Sequence, residues 1–182
     1  MSLLSHSELN SKLQAPLAGP AESPMVLLFA YGNIDRQDDG VAWHTLRAVA
    51  ESFGQFLPEV PDETFFHITP RLDAIFALQL TPEDAELISK YDKVCFIDAH
   101  TGRVEDLVHC EILSAQYETS PFTHHLTAAT CLAMASACYQ AAPQAILTSI
   151  RGFEFGFSQE LSSKTKELVP QAVQMINVWI NS

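Results

Sequence analysis

Met25 to Tyr31 is an unbroken apolar run, followed at once by Gly32-Asn33. A run without polar alternation predicts a strand covered on both faces. Asp38-Asp39-Gly40 then precedes Ala42, Leu46, Val49 and Phe53, apolar positions at helical spacing. This predicts a helix ending near Phe53, with Asp38 as its N-cap. Thr64 to Thr69 is aromatic and β-branched, a second strand ended by Pro70. Ala74 to Leu80 fits either strand or helix. Thr81-Pro82-Glu83-Asp84 predicts a helix start capped by Thr81 and running to about Lys90. Val94 to Asp98 is another buried strand, with an acid at its carboxyl end. Leu107 to Leu113 alternates, with Val108, Cys110 and Ile112 opposite His109 and Glu111, the pattern of an edge strand. Ser120 to Thr123 breaks the chain, His124 to Ala142 is an Ala-rich buried helix ended by Pro143, and Ala145 to Ile150 is a last strand. After a loop from Arg151 to Leu161, Ser162 or Ser163 caps a final helix to Ile180. Pro170 should kink that helix or mark a first turn that begins late.

Strands alternating with helices define an α/β fold: a three-layer α/β/α sandwich, its mostly parallel twisted sheet carrying helices on both faces. Residues 25–182 read as a single domain. Residues 1–24, punctuated by Pro16, Gly19, Pro20 and Pro24, read as a flexible arm in which Leu3, Leu4, Leu9, Leu13 and Leu17 could form a short docking helix.

The 182 residues carry 22 acidic side chains against 10 Lys plus Arg, a net charge of −12, which argues against nucleic acid or an anionic membrane surface as partner. No apolar stretch approaches the roughly 20 residues of a membrane span. The start shows no secretory pattern, and Cys95, Cys110, Cys131 and Cys138 form no C-x-x-C pair. The expectation is a cytoplasmic protein with buried, reduced thiols. At heptad spacing, Cys131 and Cys138 should share a core-facing side of their helix.

Sites in open α/β sheets gather outside the carboxyl ends of strands. Asp38 and Asp39 follow the first strand, and Asp98 ends the next central one. With His124 at the start of the long helix they would make an Asp/Asp/His set, suited to nickel, manganese, iron or zinc. Asp38 and Asp39 compete for one place. His125 is a rival of His124, because tandem histidines on a helix point about 100° apart so that one alone faces a given site, and His100, two residues after Asp98, is another. His67, His109 and Glu111 read as surface or strand positions, and His6 and His44 are set aside. There is no G-x-S-x-G elbow, Walker loop or G-x-G-x-x-G.

Gly32-Asn33-Ile34-Asp35-Arg36-Gln37-Asp38-Asp39-Gly40, between an apolar strand and a helix, resembles the opening of the hydrogenase maturation proteases, G-N-x-x-x-x-D-[DE]-G. Phe96-Ile97-Asp98-Ala99 is similar to the family's strand-end Asp-Ala. Ser120-Pro121-Phe122-Thr123-His124-His125-Leu126 is similar to its Ser-Pro-His helix start, and Phe155 to Ser162 to the loop before its last helix. The likeness spans about residues 25–180. The sequence departs from the pattern at Gln37, where the family usually has Gly. It departs again at Ile68-Thr69-Pro70-Arg71, where a Gly-Gly-Thr loop often stands, and at the inserted Phe122-Thr123.

The resemblance implies an endopeptidase that removes the C-terminal extension of a [NiFe]-hydrogenase large-subunit precursor. Asp39, Asp98 and His124 would be its metal ligands, and Gly32, Asn33 and Gly40 its structural turn. The nickel would be carried by the precursor, and zinc or cadmium could take the same site in vitro. No covalent nucleophile stands out, so hydrolysis would be metal-assisted or acid–base, with Asp39 and Asp98 as catalytic carboxylates and Asp39 taking the proton. Two other functions stay open. One is a non-proteolytic factor that holds nickel and precursor. The other is a phosphatase-like hydrolase using Asp98 as nucleophile, which Asp98-Ala99-His100-Thr101-Gly102 faintly resembles.

Overall fold

The first strand, β1 (Val26–Tyr31), lies between two parallel neighbours, and this explains its composition. Val26, Leu28 and Ala30 pack into the core on one face of the sheet, and Leu27 and Phe29 into the core on the other. The structure, a computed structural model, describes residues 23–61, 64–102, 104–118 and 126–182. The rest of the chain is α1 (Val41–Ser52), β2 (Phe65–Thr69), β3 (Leu72–Ala77), α2 (Asp84–Ile88), β4 (Lys93–His100), β5 (Val108–Leu113), α3 (Ala128–Tyr139), β6 (Gln144–Arg151), α4 (Ser163–Lys166) and α5 (Val169–Ile180). The expected 1–24 arm and its docking helix lie almost wholly outside the described residues, as do His6 and Ser120 to His125.

The six strands are ordered β2-β3-β1-β4-β6-β5. The inner four are parallel, and both edge strands run antiparallel to their neighbours. α1 and α5 pack together on one face, α2 and α3 on the other. This is the expected three-layer sandwich. Beneath α1, Trp43 is fully buried against Phe66 and Phe76, ring centroids 5.5 and 5.2 Å away, and its Nε1 donates to the Glu59 carbonyl. No helix among the described residues is long and apolar enough to cross a membrane.

Several local expectations change. Ala74 to Leu80 resolves as the end of β3 followed by a loop, and β2 is its antiparallel edge partner. Thr81 does not cap α2: Asp84 reaches back to the Thr81 amide at 2.7 Å, and the helix begins at Asp84 itself. Asp38 does not cap α1. It sits in a single 3-10 turn, Gln37–Gly40, whose last residue leads into the helix without a side-chain cap. Ser162 does cap α4, accepting from the Thr165 amide, and Pro170 opens α5 as a separate helix. Cys95 and Cys131 are buried and Cys110 half-buried, all three as free thiols. Cys138 is exposed, in a last turn of α3 whose residues Ser136 to Tyr139 are all exposed.

Candidate active site

From β1 the chain crosses toward β3, whereas from β4 it crosses toward β6. The carboxyl ends of β1 and β4 therefore flank the point where connections diverge, which leaves a crevice between them. Asp39 follows β1 and Asp98 lies near the end of β4, and both line a cleft of about 450 Å³ at this point. Its other walls include Gly32, Asn33, Leu78, Gln79 and Leu126.

The turn that presents Asp39 depends on backbone that only glycine fills easily. Gly32 has φ +143°, and a Cβ there would run into the Asp39 carbonyl oxygen. At Gly40 a Cβ would come within 2.9 Å of the Ile34 Cα. The Asn33 amide donates to Asp39 Oδ2 at 2.9 Å, and the Asn33 side-chain oxygen accepts from the Asp35 amide at 2.9 Å. Asp39 is thus half-buried and held at one oxygen, with no further side-chain hydrogen bond among the described residues.

Asp98 points to the face of the sheet that carries α2 and α3, as Val94 and Phe96 do. Burial pushes its carboxyl up to about 7, and the charge of Asp39 adds to this. The Ala99 amide, donating at 2.7 Å, and the Tyr31 hydroxyl pull the other way. The Tyr31 phenol is itself driven well above its ordinary range, by burial first and then by Asp98. Tyr31 and Asp98 also line a second cleft, toward Glu111 and the start of α3. Nothing in the sequence pattern singled out Tyr31; only the register of β1 against β4 brings it there.

Asp38 and Asp39, adjacent in sequence, do different work. Asp38 is fully buried. Its Oδ2 accepts from the Phe153 and Glu154 amides at 2.8 Å and from the Ser162 and Thr165 hydroxyls at 2.7 Å, and its Oδ1 accepts from the Ser162 amide at 2.8 Å. Burial alone would raise its pKa, but these donors together hold the carboxyl below the usual carboxylate range. Asp38 therefore pins the 152–162 loop and is turned away from the cleft.

Of the histidines, His124 and His125 lie outside the described residues. Leu126, the next residue along, lines the cleft with Asp39 and Asp98. His100 lines neither cleft. Its Nδ1 accepts from the Gly102 amide at 3.2 Å and its Nε2 is buried. Burial, with smaller contributions from the Arg151 and His109 charges, lowers its pKa, against the Leu107 and Asp106 carbonyls. His67 and His109 bond Asp73 and Asp106 away from the site. Among the described residues, no three His, Cys, Asp or Glu side chains are grouped to hold a metal ion. The loop comparison also needs correcting. Residues 68–71 turn between β2 and β3 at the opposite end of the sheet, and the loop beside the site is Leu78–Leu80.

No protein-family model matches the chain, and no curated protein matches it in sequence. Solved structures do. A [NiFe] hydrogenase maturation protease from Thermococcus kodakarensis is 19% identical, with a TM-score of 0.59 over 89% of this chain and 96% of its own. The hydrogenase maturating endopeptidase HybD from E. coli is 14% identical, with a TM-score of 0.64 over 86% and 92%. An uncharacterized protein from Wolinella succinogenes reaches 23% identity and a TM-score of 0.52 over 86% and 96%. The chain has the fold of the hydrogenase maturation proteases across nearly its whole described length.

Proposed function

We propose that this protein is an endopeptidase of hydrogenase maturation, trimming the C-terminal extension of a [NiFe]-hydrogenase large-subunit precursor that arrives with its nickel in place. The observation that carries this reading is the convergence of Asp39 and Asp98 on one cleft at the divergence point of the sheet. Two carboxylates whose charges disfavour each other, with no Lys or Arg among the described residues that line the cleft, fit a divalent cation as their missing counter-charge. Oxygen donors of this kind accept nickel, zinc or cadmium, with His124 as the third ligand the family likeness implies.

The precursor's ion would supply positive charge beside the scissile carbonyl. The protein's own residues do the rest. The Asn33 amide fixes Asp39 Oδ2, leaving Oδ1 for the ion or for a proton from water. Before an ion is bound, burial and the Asp39 charge raise the Asp98 carboxyl to about 7, so its proton is readily given up when the ion arrives.

Mixing the protein with nickel-loaded precursor and weighing the products tests the reading. Loss of a C-terminal peptide, abolished by Asp39→Ala without loss of the folded state, is the expected result. A precursor of unchanged mass held in a stable complex would instead make the protein a holding factor.

A further inference from the structure

Tyr31 is the one polar side chain of β1, whose other residues, Val26 to Ala30, are all apolar. The register of β1 on β4 pairs Ala30 with Ile97, which sets Tyr31, one residue on, beside Asp98 at the carboxyl ends of two parallel strands. Residues opposite one another in such a pair project to the same face of the sheet. Tyr31 shares that face with Phe29, the two rings meeting edge to face with centroids 6.4 Å apart at 67°. The Tyr31 hydroxyl bonds the Asp98 carboxylate. A phenol keeps its proton at neutral pH, so it is the donor in this bond. On the other side, the Ala99 amide donates to Asp98 Oδ1 at 2.7 Å. Among the described residues Asp98 has no cationic partner, and Tyr31 is its one side-chain donor.

Tyr31, Asp98 and Leu126 line both the cleft that holds Asp39 and the second cleft toward Glu111, so they stand where the two meet. The other tyrosine–carboxylate pair of the fold is arranged differently. Tyr91 donates to Asp73 Oδ2 at 2.8 Å while His67 Nδ1 bonds Asp73 Oδ1 at 2.7 Å, near the amino end of β3. There each oxygen has a side-chain partner, and one partner can carry positive charge. Asp98 has two neutral donors and an open cleft before it. Hydrogen bonds of this kind fix where a carboxylate's remaining lone pairs point without compensating its charge. Carboxylates that take an ion are commonly held by such donors, and removing one costs about 10–100-fold in metal affinity or activity.

We infer that Tyr31 is a positioning residue, whose hydroxyl holds the Asp98 carboxylate at the junction of the two clefts so that the precursor's nickel meets a ligand already in place. The inference rests on the proposed function, since it takes the nickel-loaded precursor as substrate. In this role Tyr31 acts only through Asp98.

Tyr31→Phe keeps the ring against Phe29 and removes the hydroxyl alone. Its affinity for precursor, with and without nickel, is compared with that of wild type, of Asp98→Ala and of the double variant, and cleavage is followed in parallel. The expected result is an affinity for nickel-loaded precursor about 10–100-fold lower, an unchanged affinity for nickel-free precursor, and no further loss when Tyr31→Phe is added to Asp98→Ala. If wild type prefers and cleaves the loaded precursor and Tyr31→Phe binds it equally well, the positioning role is refuted and the protease reading stands. The role is also refuted if Tyr31→Phe loses affinity for both precursor forms alike, or loses as much again on top of Asp98→Ala, since a change in packing would do either. If wild type cleaves both forms alike, nickel guidance fails and the inference with it. If wild type neither binds nor cleaves loaded precursor, the proposed function itself is refuted.

Discussion

Replacing Asp38 by Asn removes one charge from a fully buried site that holds five donors. The change is nearly isosteric, so its effect is electrostatic. Hydrogen bonds to charged groups contribute about 1.5–3 kcal/mol each, and they do not add when they share one acceptor. With the amide oxygen at Oδ2, four donors keep a weaker, neutral acceptor, and the new NH2 at Oδ1 faces the Ser162 amide donor-to-donor. With the amide reversed, four donors face an NH2, which is worse. The expected loss is about 3 kcal/mol, a large share of the roughly 5–15 kcal/mol of a typical domain. For a chain of this size, that corresponds to a Tm lower by about 6–12 °C. Urea and thermal unfolding at neutral pH read this directly. Because the native carboxyl titrates below its unfolded value, its contribution is present above about pH 4 and is lost as pH falls through the native pKa. The gap between wild type and variant should therefore be widest at neutral pH and close under acid. A variant within about 1 kcal/mol of wild type at neutral pH would refute the anchoring role.

Asp98 should behave in the opposite sense. Its carboxyl is raised to about 7, so in metal-free protein its ionisation costs stability progressively from about pH 4 to pH 7. Asp98→Asn should therefore raise Tm at pH 8 and have no effect below pH 4, and an equal shift at both would contradict the burial argument. Gly32→Ala should cost roughly 2–4 kcal/mol and abolish precursor trimming, because the new Cβ meets the Asp39 carbonyl in a backbone that side chains rarely adopt. Thermal melting and the cleavage assay report the two effects separately.

The central strands were legible because their surroundings are uniform. β1 and β4 are covered on both faces, so their sequences carry unbroken apolar runs. At β3 the apolar pattern starts only at Ala74, because the strand carries Asp73 in a buried place. That acid is tolerated only because His67 Nδ1 at 2.7 Å and the Tyr91 hydroxyl at 2.8 Å bond it, partners that local pattern does not reveal. The capping role expected of Asp38 failed for a similar reason. Its donors lie 115 to 127 residues further along the chain, so only the folded structure shows that the carboxylate has better partners than the first turn of α1. That Asp98 and an acid after β1 share a cleft was legible because the strand-end rule needs no side-chain detail, whereas the choice of Asp39 over Asp38 came from the family likeness. His124 came from family likeness and from an expected helix start that the structure places instead at Ala128, capped by Thr127, and it stands as a proposal with Asp39 and Asp98.

What makes the Asp38-Asp39 pair useful is the turn that carries it. In a 3-10 turn, with three residues per turn, successive side chains point about 120° apart. Two adjacent acids can then serve opposite sides of one backbone segment. Gln37 enters that turn at φ +54°, a conformation unfavourable to a side chain, and its amide group clamps Glu154 and Gly156. The family pattern places glycine there, which would relieve the backbone and lose the clamp. In this chain the loop is therefore held twice, by Gln37 outside and Asp38 inside, while Asp39 of the same turn lines the cleft with one oxygen unbonded among the described residues. Loop and cleft thus share one short support, so a change that loosens 152–162 should also displace Asp39, even where it touches no residue of the site.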